Sequence, residues 1–233
     1  MIPRQNPLCF PSRAALMQGA ADFMAEALRE ALDQRWAACA FLSGGSTPEP
    51  AYALLAQSTL DWRRVTFALV DERFVPPDHE ASNEGMLRRA LAPALAQGAT
   101  LEPLYAPVRD ANAAAELAEP RYAALPIDLI MFGMGEDGHT ASWFADADNF
   151  EDVVREHNPR TVMATHAPSA SATPERLTVT FAAYRQRAAH AGLLITGRAK
   201  LDLVTEAYMH THVAPVGYIF RNQAIPYQVL WAP

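Results

Sequence analysis

Asp137 and His139 stand two residues apart in Gly133-Met134-Gly135-Glu136-Asp137-Gly138-His139, where three glycines let the backbone bend sharply and approach a ligand. An imidazole titrates near neutrality and can take a proton from water, while a nearby carboxylate orients it and stabilises its cationic form. A second glycine stretch, Ser43-Gly44-Gly45-Ser46-Thr47-Pro48, offers backbone N–H groups and hydroxyls just ahead of a segment that reads as a helix. A phosphate is the natural guest of such a turn. Of the 19 basic residues, Lys200 is the one lysine, and its ammonium is a point charge suited to phosphate oxygens. Asp71 and Arg73, in Asp71-Glu72-Arg73, add a carboxylate and a guanidinium; taken alone they read as a surface ion pair. Arg176 alone reads as a surface arginine at the start of a strand.

These residues need a frame that gathers them. Residues 13–32 carry Leu16, Ala20, Phe23, Met24, Ala27, Leu28, Ala31 and Leu32 at helical spacing. Residues 36–42, "WAACAFL", form an apolar run that breaks at the first glycine stretch. Thr47 and Pro48 suit the cap and first position of the next helix. Residues 65–70 repeat the pattern, ending at Asp71, and Ser82 or Asn83 can cap a helix through Leu91. Residues 127–132, "IDLIMF", lead into the Asp137/His139 loop, and residues 191–196 lead into Gly197 and a helix that carries Lys200 on its first turn. Residues 162–165, 177–181, 216–220 and 228–231 are further strand candidates.

Strands alternating with helices imply right-handed crossovers and a Rossmann-like α/β fold: a mainly parallel sheet covered by helices on both faces, with extra strands near the C-terminus. Ligands bind such sheets beyond the carboxyl ends of the strands. Residues 43–47, 71–73, 133–139 and 197–200 are therefore expected on one rim. No repeat or linker interrupts the chain, so residues 1–233 read as a single domain.

Composition narrows the class. Half of the 233 residues are hydrophobic, which suits a globular protein, and no apolar run approaches a membrane span. The first 13 residues, broken by Pro3, Pro7 and Pro11, lack the apolar core of a signal peptide, so a cytoplasmic location is expected. A net charge of −7 argues against nucleic acid as a partner. His210 and His212 lack the carboxylate spacing of a helical zinc site, and no metal is expected. Cys9 and Cys39 are too few for a disulfide framework.

Gly133, Gly135 and Gly138 also spell the spacing of a dinucleotide fingerprint. That reading fails on position. The stretch lies past the midpoint of the chain, the next strand candidate ends at His166-Ala167-Pro168 without an acid, and Asp137 would repel a pyrophosphate. The first glycine stretch lacks the Lys-Ser or Lys-Thr of a nucleotide-binding P-loop.

Taken together, "LSGGSTPEPAYALL", "VDERFVPPDHEASNEGML", "GMGEDGHTASWF", "ERLTVT" and "GRAK" resemble, in fixed order, the 6-phosphogluconolactonases of the superfamily that includes glucosamine-6-phosphate deaminase. The resemblance covers residues from about 42 to 200. It implies a Rossmann-like fold, no cofactor, and hydrolysis of 6-phosphogluconolactone in the pentose phosphate pathway. It implies phosphate binding by Gly44, Gly45, Ser46, Thr47, Arg176 and Lys200. His139 becomes the base on water, with Asp137, Asp71 and Arg73 beside it. Related deaminases carry a glutamate where this chain has Phe144, and the lactonase stretch usually reads ASLFP where this chain has Ala141-Ser142-Trp143-Phe144-Ala145. The latter difference predicts an altered pocket floor.

The expected reaction is attack of a His139-activated water on C1 of the lactone, with the oxyanion held by Arg73 or loop N–H groups and the ring oxygen protonated by His139. A deaminase or isomerase using Asp71, and a sugar-phosphate sensor without turnover, are the alternatives; a dehydrogenase ranks last. The partner is a phosphorylated sugar lactone, and a monomer is favoured.

Overall fold

A computed structural model of the chain describes residues 7–210, 212–221 and 226–233. Pro3 lies outside the described residues. The first half runs β1 (Leu8–Cys9), α1 (Arg13–Gln34), β2 (Ala38–Leu42), α2 (Glu49–Leu55), β3 (Val65–Leu69), β4 (Asp71–Arg73), α3 (Asn83–Ala90), α4 (Ala92–Ala96), β5 (Thr100–Glu102) and α5 (Ala111–Ala124). The second half runs β6 (Ile127–Phe132), α6 (Phe150–Val153), β7 (Val162–His166), β8 (Glu175–Val179), α7 (Phe181–Arg187), β9 (Ala188–Thr196), α8 (Arg198–Met209), α9 (Gly217–Arg221) and β10 (Tyr227–Ala232).

Seven strands form one sheet in the order β1-β10-β9-β6-β2-β3-β5, and every neighbouring pair is parallel. β2 and β6 are buried at every residue, so both faces of the sheet centre are covered. That explains their apolar sequences, broken only by Asp128 at the start of β6, where a half-exposed strand would alternate with polar residues. Ser12 caps α1 by accepting from the Ala15 N–H at 3.2 Å, and Leu16, Ala20, Met24 and Leu28 form its buried stripe. Each large side chain of that stripe stabilises the fold by about 1.5–3 kcal/mol.

A second sheet, β4-β8-β7, is antiparallel. Residues 71–73, expected as a loop at a strand end, are thus a short strand of their own. β4 sets Asp71 opposite Thr178 and Arg73 opposite Arg176. This pairing brings Arg176 to the rim from more than 100 residues away in sequence.

Other local expectations change as well. Residues 216–220 are helical from Gly217, because the chain turns at Ala214 and Pro215, whose carbonyls accept from the N–H groups of Gly217 and Tyr218. Five apolar residues have no period that separates strand from helix, and here the turn decides. The strand expected at 177–181 ends at Val179, where Thr180 caps α7 by accepting from Ala183 N–H at 3.2 Å. α2 begins at Glu49, with Pro48 in the cap position and no side-chain cap.

Candidate active site

β6 delivers the chain into the Gly133–His139 loop at its carboxyl end. The loop is pinned by hydrogen bonds from Gly135 N–H to the His139 carbonyl at 2.9 Å and from Val216 N–H to the Gly138 carbonyl at 2.9 Å. Gly138 takes a φ of +80°, open to glycine at little cost. A Cβ on Gly135 would come within 2.3 Å of the His139 ring. Gly135 therefore makes room for the imidazole, while Gly138 lets the loop turn beside Ala214 and Leu203. No helix opens from this loop; the next one, α6, starts at Phe150, which removes the helix N-terminus that a dinucleotide cradle needs.

His139 Nδ1 lies 2.5 Å from Asp137 Oδ1. With an ionised carboxylate there, Nδ1 carries the proton and Nε2 keeps the free lone pair. The same contact holds the Asp137 carboxyl below its ordinary range. Asp137 is outside the cleft lining, whereas His139 is part of it. The His139 ring stacks on Phe144, with centroids 4.0 Å apart.

Across the cleft stands the turn after β2. Tyr52 hydroxyl donates to the Ser43 carbonyl at 2.9 Å, fixing where the turn leaves the strand. Gly45 has a φ of +101°, and a Cβ on Gly44 would meet Asn83 Oδ1 at 1.7 Å. Gly44 thus lets the turn lie flat against Asn83. Lys200 sits in the first turn of α8 behind Gly197, whose φ is +85°, and Lys200 Nζ donates to the Met134 carbonyl at 2.5 Å. The ammonium is thereby tied to the loop that holds His139.

The third wall comes from the small sheet. Asp71 Oδ2 accepts from Ser142 hydroxyl at 2.7 Å, and the Asp71 carbonyl accepts from Asn83 Nδ2 at 2.9 Å. Arg73 Nη1 donates to the Ala81 carbonyl at 2.5 Å. Between them Glu72, fully buried, accepts from the N–H groups of Arg73, Asn83 and Glu84 and from Ser82 hydroxyl, closing the 73–83 loop. Burial pushes the Glu72 carboxyl up to about 7. Arg176 is 2 % exposed, donates to the carbonyls of Thr173 and Ser171, and lies over Phe144. Burial lowers its guanidinium to about 10, opposed by the neighbouring Asp71 charge.

These walls surround one open cleft. Gly44, Gly45, Ser46, Thr47, Asp71, Arg73, His139, Arg176 and Lys200 all line it. Residue-by-residue reading missed Asn83, Thr140 and Ser171 as lining groups. Asn83 had a local signal as a helix cap, which concealed its place in the cleft. Trp143 corrects the expectation of an altered floor: it is fully buried and donates to the Val179 carbonyl at 2.8 Å, so Ala141 and Phe144 meet the cleft instead. Among the described residues no three or more His, Cys, Asp or Glu side chains gather as metal ligands.

A parallel α/β sheet with a cation-lined, histidine-bearing cleft at its carboxyl rim defines a class of small-molecule site. Residues 11–231 match the family described as glucosamine-6-phosphate isomerases/6-phosphogluconolactonase, and the chain belongs to that family. It is 37% identical over 232 residues to a 6-phosphogluconolactonase of Rhizobium meliloti (strain 1021), covering 98% of this chain and 99% of the relative. It is 37% identical over 199 residues to a 6-phosphogluconolactonase of Pseudomonas aeruginosa, covering 84% of this chain and 82% of that one. A crystal structure of a 6-phosphogluconolactonase from Shewanella baltica OS155 superposes with a TM-score of 0.92 at 31% identity, covering 100% of both chains.

Proposed function

We propose that the chain hydrolyses 6-phospho-D-glucono-1,5-lactone to 6-phosphogluconate, in the oxidative pentose phosphate pathway of the cytoplasm. It works as a single-domain monomer without metal or organic cofactor. The observation that carries this reading is His139, braced by Asp137 at Nδ1, facing the same cleft as the Gly44–Gly45 turn, Arg176 and Lys200.

The phosphate is held by the 44–47 turn with Arg176 and Lys200, and binding there sets the distant lactone carbonyl toward His139. Water attacks C1 as His139 Nε2 takes its proton. Arg73 and loop N–H groups hold the oxyanion, each well-placed donor lowering the barrier by roughly 3 kcal/mol. The tetrahedral centre then collapses. The C1–ring oxygen bond breaks, His139 returns the proton to the departing oxygen, and the acid ionises in water. Asp71, held by Ser142, is a hydrogen-bonding group for the sugar hydroxyls. Phe144, at the cleft beside His139, leaves no carboxylate there for ring opening of an amino sugar.

The test follows freshly made 6-phosphogluconolactone against an enzyme-free control, because the lactone also opens unaided. Hydrolysis well above the control, a large preference over unphosphorylated gluconolactone, and no ammonia from glucosamine 6-phosphate support the reading. Ammonia release would establish the deaminase instead, and ligand binding without turnover would establish a sensor.

A further inference from the structure

Phe144 meets two cleft groups with one ring. It stacks on His139 at 4.0 Å between centroids with planes 26° apart, and the Arg176 guanidinium carbon lies 5.7 Å from its centroid. The ring is 4% exposed and packs with Ala167 and Ala170. It is therefore a fixed surface. The Asp137 contact at Nδ1 holds one edge of the imidazole. The stacked ring supports its face.

We infer that Phe144 is a positioning residue for the hydrolysis: it sets the plane of His139, so that Nε2 is aimed into the cleft, and its π face stabilises the imidazolium formed when His139 takes the water proton. This rests on His139 acting as the base. The π face of a buried aromatic attracts a cation more strongly than a neutral ring, so the contact strengthens as the reaction proceeds. That differential makes it useful for catalysis. The charges facing His139 are Asp137 on its own loop, Asp71 and Arg73 from β4, Arg176 from β8 and Lys200 from α8. Its other loop neighbour, Glu136, is exposed. Three of these groups are cations that oppose a charged imidazole, and Asp137, Asp71 and Phe144 offset them.

The decisive substitution is 3,4,5-trifluorophenylalanine at 144, which nearly keeps the ring's shape and weakens its π face. The expected result is a drop in kcat of roughly threefold to tenfold, an acid limb of the kcat profile moved to lower pH by roughly half to one unit, and KM within about twofold. The NMR titration of His139 in the ligand-free protein should move in the same direction. Phe144→Leu, which also removes the flat face under the imidazole, should lower kcat further, and Phe144→Tyr should restore most of it. An unmoved profile with the fluorinated ring, or a loss confined to KM, would overturn the inference. His139→Ala separates the two levels: if it abolishes turnover while the fluorinated profile stays put, only the role of Phe144 fails; if it keeps turnover, the base assignment fails first.

Discussion

At the amino ends of β6 and β9 a second cleft is lined by Glu30, Arg35, Asp128, Arg187 and His190. Its charges are matched by fixed partners. Asp128 pairs with Arg35 and accepts from Cys39 N–H at 2.8 Å, Arg187 donates to Thr161 hydroxyl at 2.8 Å and to the carbonyls of Tyr122, Ala123 and Leu125, and His190 lies 3.2 Å from Glu30. At the carboxyl rim the same residue types are left with bonding capacity to spare. Among the described residues, Arg73 Nε and Ser43 Oγ are buried without a partner, and Lys200, with three donors, gives one to the Met134 carbonyl. A buried polar group without a partner costs stability. Trp62 Nε1 and Thr165 Oγ1, away from the cleft, carry the same cost, but at this rim a ligand can offset it.

Substitutions at the two rims should therefore separate cleanly. Asp137→Asn, which unfixes the His139 tautomer, should lower kcat about 100-fold in steady-state assays while Tm stays nearly unchanged. Lys200→Ala should raise the dissociation constant for 6-phosphogluconate about 30-fold by calorimetry. Asp128→Ala, at the other rim, should cost about 1–2 kcal/mol in urea unfolding by stranding Cys39 N–H, with kcat/KM within about twofold of the parent. A large activity loss from Asp128→Ala, or a mainly thermal effect from Asp137→Asn, would break the contrast.

Glu72 sharpens it through pH. Its carboxyl is raised by burial from 4.5 to about 7, so its contribution to stability is complete below about 4.5 and lost as pH rises through 7. The advantage of the parent over Glu72→Gln in Tm should shrink by a few degrees between pH 5 and pH 8. An advantage that grows with pH would contradict the burial of Glu72 as the dominant influence.

The parts of this contrast legible in the sequence were those fixed locally. The bounds of β6 are legible because "IDLIMF" is apolar at every position but Asp128 and stops at a glycine. His139 and Asp137 stood out because their contact spans two residues. β4 was illegible: Asp71-Glu72-Arg73 is polar, and its strand character comes from pairing with β8, far along the chain. By type Arg176 reads as a surface residue, and only the family resemblance draws it inward. Its burial depends on Phe144 and the loop carbonyls meeting it in three dimensions. Residues 216–220 read as a strand from their apolar run, whereas a turn, not a period, selects their helical conformation.

In the proposed reaction His139 supplies the chemistry while the opposite wall of the cleft supplies the grip. The most direct measurement pairs kcat for fresh 6-phosphogluconolactone with calorimetric binding of 6-phosphogluconate, in the parent and in His139→Ala. A fall in kcat of at least about 100-fold with affinity held within about threefold is the predicted result. A variant that still turns over at the parent rate, or one that loses binding and rate in equal measure, would contradict it.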